Sequence, residues 1–222
     1  HEVRNPLAGI KGVMQILISR RGSGDPDLPV MNDIVARIDS LSELVNDLMV
    51  FARPRAPKPV ELRLQPLVLE AITMAPRDPA CAHVQISVEG SDGAIMADAE
   101  LIRAALLNLL LNAAQAMGER GTIHVRTLIS TESAIVEVRD NGPGIPSALR
   151  ERVLEPFFTT KSRGGGLGLP IAKRSAELHH GSLTLSCPEG GGTVATLTLP
   201  LRAASPAAST RTSRSDTAPD RG

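Results

Sequence analysis

Two heptad seams occupy the first fifty residues, and they call for a helical hairpin that needs more apolar surface than it carries. Val3, Leu7, Ile10, Met14 and Leu17 alternate steps of four and three, and Met31, Ile34, Ile38, Leu41, Val45 and Leu48 do the same. That period keeps one stripe of each helix turned toward a partner. Between the stripes, Arg21-Gly-Ser-Gly-Asp-Pro-Asp27 supplies the breakers of a turn. A single stripe per helix is too thin to enclose a core, and pairing with a second copy into a four-helix bundle is the expected solution. The seam also orients the first residue. His1 stands two positions before Val3 and falls on the solvent face, which Asn5 shares one turn later.

The pattern then changes. Arg53-Pro-Arg-Ala-Pro-Lys-Pro59 has three prolines in seven residues and reads as a stiff, extended hinge. Beyond it, strands are expected at 60–64, 84–89, 122–129 and 134–139, with a closing hairpin at 182–186 and 193–199. Helices are expected at 66–74, 99–117 and 166–179. The fold class is therefore α + α/β: a hairpin that forms a dimeric four-helix bundle, then a mixed sheet with helices on one face. The domains expected are a helical hairpin at 1–52, the hinge at 53–59, an α/β unit at 60–202 and a disordered tail at 203–222 that lacks apolar periodicity.

Composition excludes more than it proposes. Lys+Arg and Asp+Glu balance at 24 each, so no overall charge favours nucleic acid or an anionic membrane. Cys81 and Cys187 are too isolated for a metal site or a disulfide framework, which fits a reducing, cytoplasmic setting. No apolar run approaches the ~20 residues of a membrane span, and no signal peptide is visible. A chain opening at His1 without Met reads as a fragment, so membrane attachment is expected only through a region upstream, if at all.

Several residues carry recognisable chemistry. A neutral imidazole such as His1 is a competent phosphoryl acceptor, and Glu2 beside it can orient the ring and take its proton. Pro6 removes a helical hydrogen bond to the Glu2 carbonyl and loosens that turn. Asn108 and Asn112, four apart on an otherwise apolar helix, are costly there unless they bind something. Their oxygens suit a Mg²⁺ that keeps water and bridges phosphates. Asp140 ends an Ile- and Val-rich strand, where its carboxylate can accept from an adenine amino group, and Gly142 and Gly144 let a purine approach the backbone. Gly164, Gly165, Gly166, Leu167 and Gly168 precede a helix whose free amides form a phosphate cradle. Lys161 and Arg163 stand ready to neutralise phosphate. No Gly-Lys-Ser/Thr follows, so this is not a P-loop, nor do the glycines follow a first strand as in a dinucleotide fold. His179 and His180 lack acidic or Cys partners at ligand spacing and read as a helix end capped by Gly181. His83 and His124 have no supporting constellation.

Taken in order, His1-Glu2-Val3-Arg4-Asn5-Pro6, Asn108 to Asn112, Asp140-Asn-Gly142-Pro-Gly144, Phe157-Phe-Thr-Thr-Lys161 and Gly164 to Gly168 resemble the H, N, G1, F and G2 boxes of two-component sensor histidine kinases. The likeness covers about residues 1 to 200, and the wording after His1 is closest to nitrogen-regulation sensor kinases. It implies a phosphoacceptor hairpin and a Bergerat-type, GHKL ATP-binding domain with ATP and Mg²⁺. By the same likeness Glu2 serves as the acidic neighbour of His1, and Asn112 makes the metal contact with Asn108 near the phosphates. Thr193 then supports the adenine site through its hydroxyl, and Asn5 places a water for phosphatase action. The implied partners are a response-regulator receiver domain, whose aspartate takes the phosphoryl group, and a second copy of the chain. One departure stands out: Gly165 replaces a Thr or Ser common in the family, which leaves the cradle to backbone amides. Two other readings remain open. One is a chaperone or DNA-repair ATPase of the same superfamily, which residues 60 to 200 alone permit. The other is a non-catalytic dimerisation scaffold.

Overall fold

The computed structural model describes residues 4–22, 24–52, 56–118, 120–161 and 165–201. Helices α1 (Arg4–Ser19) and α2 (Leu28–Ala52) form the hairpin. Its turn is organised by Asp25, which accepts from the Asp27 N–H at 2.9 Å and pairs with Arg21 at 2.8 Å. Leu7 and Ile38 bury themselves between the helices, and Lys11 bridges to Asp39 at 2.6 Å. Much of the seam has no cover: Ile10, Leu17, Ile34, Leu41 and Leu48 are all exposed. No helix among the described residues is long and apolar enough to cross a membrane.

After the linker come β1 (Val60–Arg63), α3 (Leu64–Met74), β2 (His83–Gly90), β3 (Ala94–Ala97), α4 (Ala99–Ala116), β4 (Arg120–Ile129) and β5 (Ser133–Asp140). Helix α5 (Gly168–Leu178), β6 (Ser182–Ser186) and β7 (Val194–Pro200) complete the unit. Five strands form a sheet in the order β2-β4-β5-β7-β6; β2 and β4 run parallel and the other pairs antiparallel. Alternation places Ile123 and Val125, Val136 and Val138, and Leu197 and Leu199 on the face that the helices cover. Against them lie Leu67 and Val68 of α3, Ile102, Leu106, Leu109 and Leu110 of α4, and Leu169 and Ala172 of α5. The α4 residues recur every three or four positions, a stripe wide enough for the centre of a layer. Burying each such Leu or Ile contributes about 1.5–3 kcal/mol.

Two details differ from the sequence reading. Strand β1 joins no mixed sheet; it pairs antiparallel with β3 in a separate ribbon, Val60 opposite Ala97 and Leu62 opposite Ile95. Strand β3 is four residues long and half alanine, which left no period to detect. The end of α5 also differs. His180, not Gly181, takes the left-handed conformation, with φ 58°. The His180 N–H bonds to the Glu177 carbonyl and the Gly181 N–H to Ala176, a Schellman closure displaced by one residue. Gly181 is required for another reason, since a Cβ there would lie 2.0 Å from the Thr198 carbonyl oxygen.

Candidate functional site

Asp140 is the last residue of β5 and its side chain is buried. Its Oδ1 accepts from the Gly142 N–H at 2.9 Å and the Thr193 N–H at 3.1 Å, and its own N–H donates to the Thr193 carbonyl at 3.0 Å. Backbone amides from the loop after β5 and from the residue before β7 therefore hold the carboxylate in one orientation. Among the described residues no donor engages Oδ2, and no buried side-chain oxygen lacks a partner, so Oδ2 still reaches open space. A fixed, outward carboxylate oxygen is a strong acceptor for an amino group. The resemblance looks to the Thr193 hydroxyl; here the Thr193 backbone is what braces Asp140.

The following loop is pinned from below. The Gly192 N–H donates to the Gly142 carbonyl at 2.9 Å, and the Ile145 N–H donates to Cys187 Sγ at 3.2 Å. Gly192 has φ 80°, and a Cβ on it would stand 2.1 Å from the Asp140 carbonyl oxygen, so only glycine allows this approach. Gly142 lies against the end of α4: a Cβ there would be 3.2 Å from Met117 Cγ and 3.0 Å from Asp140 Oδ1. Gly144, with φ 77°, packs on the Gly192 carbonyl and Cys187.

Helix α4 lines the rest. Asn108 donates its Nδ2 to the Ala104 carbonyl at 3.0 Å and turns Oδ1 toward Gly168, where a Cβ would lie 3.0 Å away. One turn on, Asn112 Oδ1 accepts from the Lys161 ammonium at 2.7 Å, and Gln115 Oε1 accepts from the same ammonium at 2.9 Å. Burial pushes the Lys161 pKa below the ordinary lysine value, while the Asp140 carboxylate pulls it back up. The site is thus strung along α4: Gly142 at the Met117 end, Lys161 in the middle, and Gly168 at Asn108. That is about 13 Å of helix at 1.5 Å per residue.

Helix α5 opens opposite Asn108. Leu167 is its N-cap and is buried; no side chain caps the end and no acidic residue sits in the first turn. The uncapped amides and positive helix end therefore face the site without internal competition. Gly166 has φ 64°, and its carbonyl accepts from the Phe157 N–H at 3.0 Å. Phe157 itself is left-handed at φ 66° and exposed, and the Arg152 guanidinium lies 4.4 Å over the Phe158 ring.

The structure brings together Asn108, Asn112, Asp140, Gly142, Gly144, Lys161, Gly166, Leu167, Gly168 and Thr193. Asn5 is exposed on the first turn of α1, on a separate element from that set. His1, Glu2, Arg163 and Gly164 lie outside the described residues. Gln115 escaped the sequence reading, although it follows Asn112 by three and so shares its helical face. No group of His, Cys, Asp and Glu among the described residues could hold a metal.

Comparison with known proteins places two families on the chain. The family described as "His Kinase A (phospho-acceptor) domain" matches residues 1–57, and that described as "Histidine kinase-, DNA gyrase B-, and HSP90-like ATPase" matches residues 97–203. Signal transduction histidine-protein kinase AtoS of Escherichia coli is 36% identical over 205 residues, covering 90% of this chain and 33% of AtoS. The chain thus spans about a third of that relative's length. The solved structure of full-length ShkA in complex with AMPPNP is 27% identical with a TM-score of 0.73, covering 92% of this chain and 45% of ShkA. Histidine kinase ThkA in complex with response regulator protein TrrA is 26% identical with a TM-score of 0.68, covering 91% of this chain and 59% of ThkA.

Proposed function

We propose, for a chain that belongs to the two-component sensor histidine kinases, that His1 takes the γ-phosphoryl group of ATP and passes it to an aspartate of a response regulator. The observation that carries this reading is the pairing, in one chain, of a phosphoacceptor-type hairpin beginning at His1 with an ATPase-type site ordered along α4. A chaperone or repair ATPase has no use for that hairpin.

The order along α4 orients the nucleotide. Asp140 Oδ2 accepts from the adenine amino group, a contact guanine cannot make, and Gly142 leaves room for the ring. The phosphates extend toward Asn108 and Gly168, where the first amides of α5 meet negative charge. Lys161 holds its ammonium midway along α4, against Asn112 and Gln115, between the two ends. The donor chemistry supports a metal there: Asn112 Oδ1 faces a cation, the Lys161 ammonium, at 2.7 Å. A neutral amide oxygen suits a hard ion that retains water and phosphate ligands. Asn112 would hold Mg²⁺, which when bound neutralises phosphate charge.

Transfer then needs little covalent help. The bond from the γ-phosphorus to its bridging oxygen breaks, a bond from a His1 ring nitrogen to phosphorus forms, ADP leaves, and Glu2 takes the ring proton. In the reverse direction of signalling, Asn5 places a water for hydrolysis of the partner's phosphoaspartate. The exposed seam of α1 and α2 is covered by a second copy.

Incubation with γ-labelled ATP tests the assignment. An acid-labile label is expected on the chain, and His1→Gln should bind nucleotide normally yet take up none. Label that survives acid, or that persists in the variant, moves the acceptor elsewhere. ATP hydrolysis with no label at all would favour another ATPase class.

A further inference from the structure

A buried chain of hydrogen bonds outside the nucleotide site joins three segments that are distant in sequence. The Lys58 N–H, in the linker, donates to Asp98 Oδ2 at 2.8 Å. Asp98 is 3% exposed and caps α4, its Oδ1 accepting from the Glu100 and Leu101 N–H groups at 3.1 and 3.2 Å. Its own backbone N–H donates to His179 Nε2 at 2.8 Å. A backbone N–H can only donate, so Nε2 presents its lone pair and the ring proton sits on Nδ1. Nδ1–H then donates to the Ser175 carbonyl of α5 at 2.7 Å. His179 is 8% exposed, and both of its nitrogens are used by one neutral tautomer.

The placement matters because of what each end carries. Lys58 is six residues beyond the end of α2, and α2 lies against α5. Helix α4 carries Asn108 and Asn112, and α5 opens at Gly168. The linker is therefore fastened, through Asp98 and His179, to both helices that line the phosphate end of the site. An apolar residue at 179 would strand the Asp98 N–H inside the fold and slacken the cap that receives the linker.

We infer that His179 is a positioning residue: acting through Asp98, it pins the linker to the nucleotide-binding helices and so sets the reach of the His1 hairpin. This rests on the function proposed above, in which the hairpin must meet the phosphates. An ordinary brace within the core would act differently, weakening nucleotide binding and transfer together.

The full chain is compared with His179→Leu, His179→Gln and Lys58→Pro by hydrogen exchange, binding of a non-hydrolysable ATP analogue, and His1 labelling across ATP concentrations. Leu should speed exchange at the Lys58 and Asp98 amides by about tenfold or more, the loss of one hydrogen bond's protection. Analogue affinity should stay within about threefold, while the saturating labelling rate falls by about tenfold with KM unchanged. Gln, whose side-chain oxygen can accept from Asp98, should restore much of that rate. Lys58→Pro deletes the linker N–H without touching the core, and should reproduce the labelling loss even if His179→Leu fails to fold. Unchanged labelling in Lys58→Pro, or analogue affinity falling in step with labelling, overturns the inference. Wild-type chain that binds the analogue but never labels at His1 overturns the proposed function instead, and wild-type exchange at the Lys58 and Asp98 amides of His179→Leu overturns the pinning itself.

Discussion

The hairpin and the α/β unit solve the burial problem to different degrees. In the α/β unit, α4 alone sinks Ile102, Leu106, Leu109 and Leu110 against a sheet that meets them with Ile123, Val136 and Leu197. The hairpin is longer in helix yet leaves Ile10, Ile34, Leu41 and Leu48 exposed on its seam. Its polar contacts are correspondingly superficial, as in the Lys11–Asp39 pair. One region is finished by its own sequence; the other leaves its seam uncovered. In the function proposed above, the difference separates two tasks, since a nucleotide site needs a rigid wall and a phosphoacceptor needs to be handed between surfaces.

Substitutions in each region can break this contrast. Leu109→Ala removes a fully buried side chain from the centre of α4 and should cost about 2–5 kcal/mol of stability, read from denaturant melts. Leu41→Ala, on the exposed seam, should leave the melt of the α/β unit untouched and weaken self-association in sedimentation. Equal losses in the melt would mean that the hairpin is already complete alone. Asp140→Asn comes next in size. It should reduce nucleotide affinity by about 1–3 kcal/mol, roughly tenfold to a hundredfold, with no change in self-association. Calorimetric titration measures it, and unchanged affinity would remove Asp140 from the site. Lys11→Ala should have the smallest effect. Its partly exposed pair is worth about 0.2–1 kcal/mol to the hairpin, less in high salt. A larger loss would show that α1 and α2 depend on this contact more than on their seam.

Where a physical period runs long enough, the sequence discloses the element. Helix α4, β4 and β5 emerge within one or two residues of their bounds because apolar residues recur over eight or more positions. Strand β3 is too short and too alanine-rich to show one, and its pairing with β1 is made across the intervening α3 and β2. Among the site residues, Asp140, Asn108, Asn112 and the glycines were legible as residue types that sit badly in a strand end, an apolar helix and a loop unless they serve a ligand. Gln115 was not, because a glutamine at a helix end violates nothing. His179 does end α5 as its spacing suggests, but the bond it makes was hidden for the same reason. A histidine after a helix is ordinary, and only the fold brings Asp98, eighty-one residues earlier, within 2.8 Å of its ring.

Sheet order carries a consequence for how the chain is made. Strand β5 stands at the centre, but its second neighbour is β7, with Ser133 opposite Pro200. Strand β6 touches the sheet only through β7. A nascent chain halted before Thr193 therefore exposes the free edge of β5 and carries β6 with nowhere to attach, and Asp140 lacks the Thr193 amide that aims it. The hairpin, built from near neighbours in sequence, can form as soon as it leaves the ribosome. During synthesis the exposed seam of α1 and α2 is thus complete well before the strand order that closes the nucleotide pocket.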